Sequence, residues 1–228
     1  MITLSKIKKI CENKSKSDLD LITKAQKFAQ KSHKGQILKK EIPFIEHPKY
    51  VAYLLATWKQ PTQVICAGLL HDTVEDCEVS LDTIRREFGE KIAFYVEGMS
   101  WYRVWNPSKK RYLKDWPGYY TKFCKFCLID PRLVIIKAAD EMSKNKPSRI
   151  PSDILAKYQI LLKRVKKFLL PFFKEVGLSK VCQHLQDKND AYIPNDKTKS
   201  QLSNYIKRKD MKILKKKLLK IKGIDQLK

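Results

Sequence analysis

Long apolar runs are missing from this 228-residue chain. Nowhere do about eighteen apolar residues stand in a row, the length a membrane-spanning helix needs, so no span is expected. The N-terminal stretch Met1-Ile-Thr-Leu-Ser-Lys-Ile-Lys-Lys has lysines but no apolar core behind them, which argues against a secretory leader. Glycine is scarce, at seven residues, and alternating apolar–polar stretches are few, which argues against a β-rich fold. The six cysteines lack the spacing of a disulfide-stapled scaffold, so reduced thiols and a cytoplasmic location are expected. Acidic residues are also short, 24 against 48 Lys and Arg.

What the chain has in excess is positive charge. The formal net charge is +24, and from Asp196 onward twelve Lys and Arg face three Asp. A field of this sign favours polyanions, whether nucleotide, nucleic acid or an acidic partner, without choosing among them. A lysine-rich genome would produce the same bias with no function attached. The hydrophobic fraction of 43% is ordinary for a globular protein, and the length suits one cored domain plus an appendage. We place the domain at residues 1–175 and a lysine-rich, mostly helical extension at 176–228.

Helix is the element the periodicity supports. Leu19–Ser32 carries Ile22, Ala25, Phe28 and Ala29 on one face, capped by Ser17 or Asp18 and ended at Gly35. Ile37–Phe44 reads as a short loop with room for a small hairpin. Pro48 suits the first turn of the next helix and sets His47 at its start. Thr62–Cys77 reads as one central helix, Leu81–Phe88 as a shorter one capped by Ser80, and Lys91–Tyr102 as another. Val104–Tyr119 reads as loop, rich in Trp and Tyr that either cover core or stack on a ligand. Cys124 and Cys127 are spaced as neighbours on a helix and read as buried thiols, since no second cysteine pair follows at zinc distance. Asp130-Pro131 starts a helix that runs apolar into Asp140. Ile154–Phe173 reads as an amphipathic helix interrupted at Pro171. Lys197–Lys222 reads as a helix with Ile206, Ile213, Leu214, Leu218 and Ile221 along one side.

The candidate chemistry sits at the polar ends of apolar helices. Leu69-Leu-His-Asp-Thr-Val-Glu-Asp76 places His71, Asp72, Glu75 and Asp76 directly after a buried-looking run. Alone, the pair would pass as a helix cap with solvated acids beside it. With His47 and Asp140 at the ends of two other helices, it becomes a set of two nitrogens and two carboxylates. Buried charge of this kind needs a compensating partner, and this donor set suits Mn, Fe or Zn. Glu75 and Asp76 stand one turn further on, where they would serve acid/base chemistry or water positioning.

These residues resemble the HD-domain superfamily, and within it the RelA/SpoT-type branch that hydrolyses guanosine 3′,5′-bispyrophosphate. The likeness lies in Ala29-Gln-Lys-Ser-His-Lys-Gly-Gln36, Pro43-Phe-Ile-Glu-His-Pro-Lys-Tyr-Val-Ala52, Ala67-Gly-Leu-Leu-His-Asp-Thr-Val-Glu-Asp76, Phe88-Gly89 and Val134-Ile-Ile-Lys-Ala-Ala-Asp140. It implies an all-α helical bundle holding a divalent metal, usually manganese, by His47, His71, Asp72 and Asp140. It also implies that Glu75 and Asp76 assist water in attacking the 3′-diphosphate, releasing GDP or GTP and pyrophosphate. The layout resembles a stand-alone small alarmone hydrolase with no synthetase half, active in the stringent response.

The chain departs from the family around the nucleotide. Leu38 stands where an arginine is usual, with Lys39 and Lys40 beside it to replace the charge. Glu41-Ile42 replaces a Gly-Glu pair, and Glu141-Met142-Ser143-Lys144 replaces the Arg/Lys-Leu-x-Asn that follows Ala-Asp. Lys39, Lys40 and Lys144 are therefore the candidate substrate-binding residues. Two other functions stay open: phosphohydrolysis of another nucleotide (NADPH 2′-phosphate or a nucleoside monoester), and a non-catalytic basic module that binds nucleic acid or an acidic partner through its tail.

Overall fold

The computed structural model describes residues 2–39, 42–101, 103–106, 111–144, 163, 165–189 and 200–228. The fold is all-α with two small hairpins, and contacts group it into two compact units, Met1–Ser143 and Lys144–Lys228. That division falls ahead of the 175/176 boundary read from composition.

The first unit is a helical bundle. Its helices are α1 (Leu4–Ile10), α2 (Lys16–Ser32), α3 (Glu46–Thr57), α4 (Thr62–Leu70), α5 (Thr73–Asp76), α6 (Leu81–Phe88), α7 (Glu90–Met99), α8 (Trp116–Ile129) and α9 (Arg132–Ser143). Helix α4 is the axis. Every residue from Val64 to Leu70 is buried, because the segment is apolar around its full circumference. It packs against α2, α3, α7 and α9. Hairpin β1 (Ile37–Lys39) with β2 (Ile42–Pro43) lies between α2 and α3 in sequence, and β3 (Arg103–Asn106) pairs antiparallel with β4 (Arg111–Lys114) between α7 and α8.

Several boundaries differ from those read in the sequence. Helix α2 begins at Lys16, because Ser15 rather than Ser17 or Asp18 accepts the capping N–H, from Asp18 at 3.2 Å. Helix α7 stops at Met99, and Tyr102 lies outside the described residues. The stretch read as loop from Val104 to Tyr119 contains a hairpin and the first turn of α8, which Asp115 caps through the Gly118 N–H at 3.0 Å. The segment read as one helix over Thr62–Cys77 is broken after Leu70. There the Thr73 hydroxyl takes the Leu70 carbonyl at 2.7 Å and His71 Nδ1 takes that of Gly68 at 2.9 Å, so side chains occupy acceptors a continuing helix would use.

The second unit contains a π-helical turn (Val165–Leu169), then α10 (Leu170–Val176), α11 (Ser179–Asn189) and α12 (Arg208–Leu218). Pro171 has no N–H to offer in the first turn of α10, which accounts for the changed winding before it. Residues 154–162 of the helix read across this region lie outside the described residues. Helices α11 and α12 both pack on α10, with Phe172, Phe173, Met211, Leu214 and Leu218 buried. Helix α12 is shorter than the Lys197–Lys222 expected, and residues 197–199 lie outside the described residues. Ile213, expected on the inner face, is 48% exposed, because the buried stripe runs through Met211, Leu214 and Leu218 instead. Among the described residues no helix is long and apolar enough to cross a membrane.

Candidate metal centre

Three helix ends bring four side chains together. His47 comes from the first turn of α3, His71 and Asp72 from the break between α4 and α5, and Asp140 from the last turn of α9. His47 Nε2 lies 3.2 Å from His71 Nε2, 3.3 Å from Asp72 Oδ2 and 3.3 Å from Asp140 Oδ1. His71 Nε2 lies 3.1 Å from Asp72 Oδ1 and 3.8 Å from Asp140 Oδ1. The side chains of His47, His71 and Asp140 are at most 8% exposed, and that of Asp72 is 15% exposed.

The hydrogen bonds behind the two rings fix what they present to the centre. His71 Nδ1–H donates to the Gly68 carbonyl at 2.9 Å. The Ser143 hydroxyl donates to the Asp140 carbonyl at 2.7 Å, so its oxygen accepts from His47 Nδ1–H at 2.9 Å. Both protons therefore point outward and both Nε2 lone pairs point inward, toward carboxylate oxygens. Lone pairs and negative oxygens at this spacing repel one another unless a cation stands among them. Edges of 3.1–3.3 Å are those of ligands about 2.2 Å from one ion at right angles, so the residues fit a divalent metal. Without metal the cluster gathers protons instead. Burial by itself lowers both imidazoles, yet Asp140 and Asp72 together hold His47 and His71 above the usual histidine range. Burial likewise works to raise Asp72, but the two histidines hold it far below the ordinary carboxylate value.

Glu75 and Asp76 flank the centre on α5. Oxygens of Asp72, Glu75 and Asp76 lie within 4.8 Å of one another, and Glu75 Oε1 accepts the Trp101 N–H at 2.8 Å. Burial, and then the charge of Asp72, push Glu75 up to about 8. Asp76 is raised by the same two causes but faces solvent. Lys39 lies on β1 with its side chain outside the described residues, as is the whole of Lys40, and Lys144 is exposed as the residue after α9.

Several contributing residues were not among the site candidates read from the sequence. Lys137, one turn before Asp140, is buried and grips Asp140 Oδ2 at 2.8 Å and Glu141 Oε1 at 2.9 Å. Burial opposes its charge, but Asp140 keeps Lys137 firmly protonated. The signal was a single lysine inside the apolar run Leu133–Ala139. Ser143 and the Gly68 carbonyl orient the imidazoles, and Gln36 Nε2 donates to the Asp76 carbonyl at 2.7 Å. Cys124 and Cys127 are buried free thiols, with burial pushing Cys124 up to about 12.

A helical bundle whose helix ends converge two imidazoles and two carboxylates defines a divalent-metal centre. A family model described as HD domain matches residues 25–146, and the chain belongs to that family. The chain is 28% identical over 172 residues to a guanosine-3′,5′-bis(diphosphate) 3′-pyrophosphohydrolase of Aquifex aeolicus, covering 75% of this chain and 24% of that protein. It is 29% identical over 201 residues to a protein of the same name from Borreliella burgdorferi, covering 83% and 28%. A GTP pyrophosphokinase of Myxococcus xanthus is 29% identical over 188 residues, covering 77% and 23%. The chain thus spans about a quarter of the length of the curated relatives it matches.

Proposed function

We propose that this chain is a metal-dependent pyrophosphohydrolase that removes the 3′-diphosphate of guanosine tetra- or pentaphosphate, leaving GDP or GTP. The observation that carries this reading is the inward-facing donor set of His47, His71, Asp72 and Asp140 with the Glu75 carboxyl beside it. Those four residues would hold the ion, taken as manganese, which when bound supplies Lewis acidity and a more acidic water. Glu75, clamped by the Trp101 N–H, keeps its other oxygen for taking a proton from the attacking water and passing it on. Asp76, solvent-facing on the same short helix, orients that water. The bond between the 3′ oxygen and its phosphorus breaks, hydroxide joins the phosphorus, and the proton ends on the 3′ oxygen. Lys137 holds Asp140 in its ligating orientation from behind.

Lys39, Lys40 and Lys144 are the cations proposed to meet the substrate phosphates. Glu141 is turned away from that task, buried and paired with Lys137 at 2.9 Å, which favours a second reading in which another nucleotide is the substrate. All six cysteines are unpaired, in keeping with action in a cytoplasm, where this chemistry would serve the stringent response. The test is incubation with Mn2+ and a nucleotide panel, scoring pyrophosphate against phosphate, with Asp72→Ala as control. Pyrophosphate from guanosine tetraphosphate, at least about 100-fold above the control, is expected. Phosphate from a different nucleotide would move the assignment to the second reading, and no Asp72-dependent product at all would overturn both.

A further inference from the structure

Tyr119 stands in the first turn of α8 with 3% of its surface exposed. Its ring packs on Trp116, Tyr120 and Phe123 at centroid distances of 6.0, 5.4 and 6.0 Å, contacts a phenylalanine would make equally well. The hydroxyl has no hydrogen-bond partner among the described residues. A buried hydroxyl left without one costs about 1–3 kcal/mol, so a structural role alone would favour phenylalanine here.

The neighbourhood of the ring suggests what the hydroxyl is for. Lys137 Nζ, the group that grips Asp140, lies 5.8 Å from its centroid. Trp101, whose N–H holds Glu75 Oε1 at 2.8 Å, has its ring 6.5 Å from that of Trp116, which packs on Tyr119 at 6.0 Å. The charges of Lys137, Glu75 and Asp140 are among those that act on the phenol, so Tyr119 borders the metal centre from α8. Glu75 has Oε1 engaged by the Trp101 N–H, which leaves its other oxygen to be oriented by something else. A buried water is stable where it finds two or more polar partners, and the Tyr119 hydroxyl with this second oxygen supplies two.

We propose that Tyr119 is a positioning residue, its hydroxyl holding the second carboxylate oxygen of Glu75 through one bridging water. Trp101 and Tyr119 then grip the carboxyl group from both sides and fix its angle toward the reacting water. The inference rests on the hydrolase reading for its catalytic consequence, while the contact itself can be tested without substrate.

Tyr119→Phe removes only the oxygen. The bridge predicts a melting temperature lower by about 3 °C and no further loss when Glu75→Ala is already present. It also predicts kcat lower by about tenfold with KM within twofold, since the geometry of Glu75 matters after binding. A hydroxyl that is merely orphaned predicts the reverse, a higher melting temperature and unchanged kcat. A rise in melting temperature, or additive effects of the two substitutions, would overturn the proposal. Should the parent protein turn over no nucleotide, the hydrolase reading falls, and the melting-temperature cycle still decides whether Tyr119 and Glu75 are coupled.

Discussion

Glu75 is where the chemistry of single residues is most exposed to test. Burial and the neighbouring Asp72 raise its carboxyl from an ordinary 4.5 to about 8. In the metal-free protein the folded state therefore keeps a proton on Glu75 up to about 8, while the unfolded chain releases it near 4.5. Between those values the folded state binds more protons than the unfolded one, so stability falls as pH rises. The contribution is complete below about 4.5 and gone above about 8, with a slope of at most about 1.4 kcal/mol per pH unit. His47 and His71 are also raised and add a slope of the same sign, so the comparison must be between variants. Glu75→Gln, which keeps the shape and loses the proton, is expected to flatten the denaturation midpoint between pH 5 and 8 relative to the parent. Activity with Mn2+ is expected to drop by about 100-fold or more, the usual weight of a general acid–base group. Equal pH slopes in parent and variant would show that Glu75 titrates normally.

At the scale of elements, the centre depends on how closely α3 approaches α4. Gly68 makes that approach possible: a Cβ there would stand 2.5 Å from Leu55 Cδ1 and 3.2 Å from Val51 Cγ1, both on α3. Leu55 and Val51 are fully buried and have nowhere to retreat. Gly68→Ala gains about 1 kcal/mol of helix propensity but overpacks the seam by about 1–3 kcal/mol. Because α3 carries His47 and α4 ends at His71, the larger expected effect is on the metal. We expect a melting temperature lower by a few degrees together with Mn2+ affinity weakened about tenfold or more, read by isothermal titration calorimetry. Unchanged metal affinity would mean the donors adjust independently of the seam.

The same elements show what the sequence made legible. His47, His71, Asp72 and Asp140 could be picked out because each stands at one end of an apolar helix, where a polar group is conspicuous. The break after Leu70 was not legible, since it arises from Thr73 and His71 side chains taking backbone acceptors, a choice helix periodicity does not register. The hairpin Arg103–Lys114 was missed because Pro107 and the surrounding lysines suggested loop, although Arg-Val-Trp-Asn and Arg-Tyr-Leu-Lys carry strand-forming residues. Lys137 and Ser143 act on the centre through α9 geometry, three residues on either side of Asp140, and only the fold shows which of them turns inward.

For the whole molecule the open question is the surplus of +24. Helix α12 buries Met211, Leu214 and Leu218 against α10, so its lysines are left on the solvent side. Removing the chain from Asp196 onward would strip α12 from the face of α10 on which it packs and so test folding rather than binding. Point substitution avoids this. Lys209, Lys212 and Lys216 are exposed and, at spacings of three and four, form one stripe along the helix. If the stripe meets a polyanion, each lysine displaces counterions from the phosphate backbone. Replacing all three by Gln is then expected to weaken binding to a single-stranded RNA of about twenty nucleotides. The slope of log affinity against log salt should shrink by about 2, at about 0.7 per phosphate contact, measured by fluorescence anisotropy between about 50 and 200 mM salt. Melting temperature and metal-dependent activity should stay at parent values, since none of the three is buried. An unchanged slope would leave the lysines as a solvated face that merely lets the apolar stripe of α12 dock.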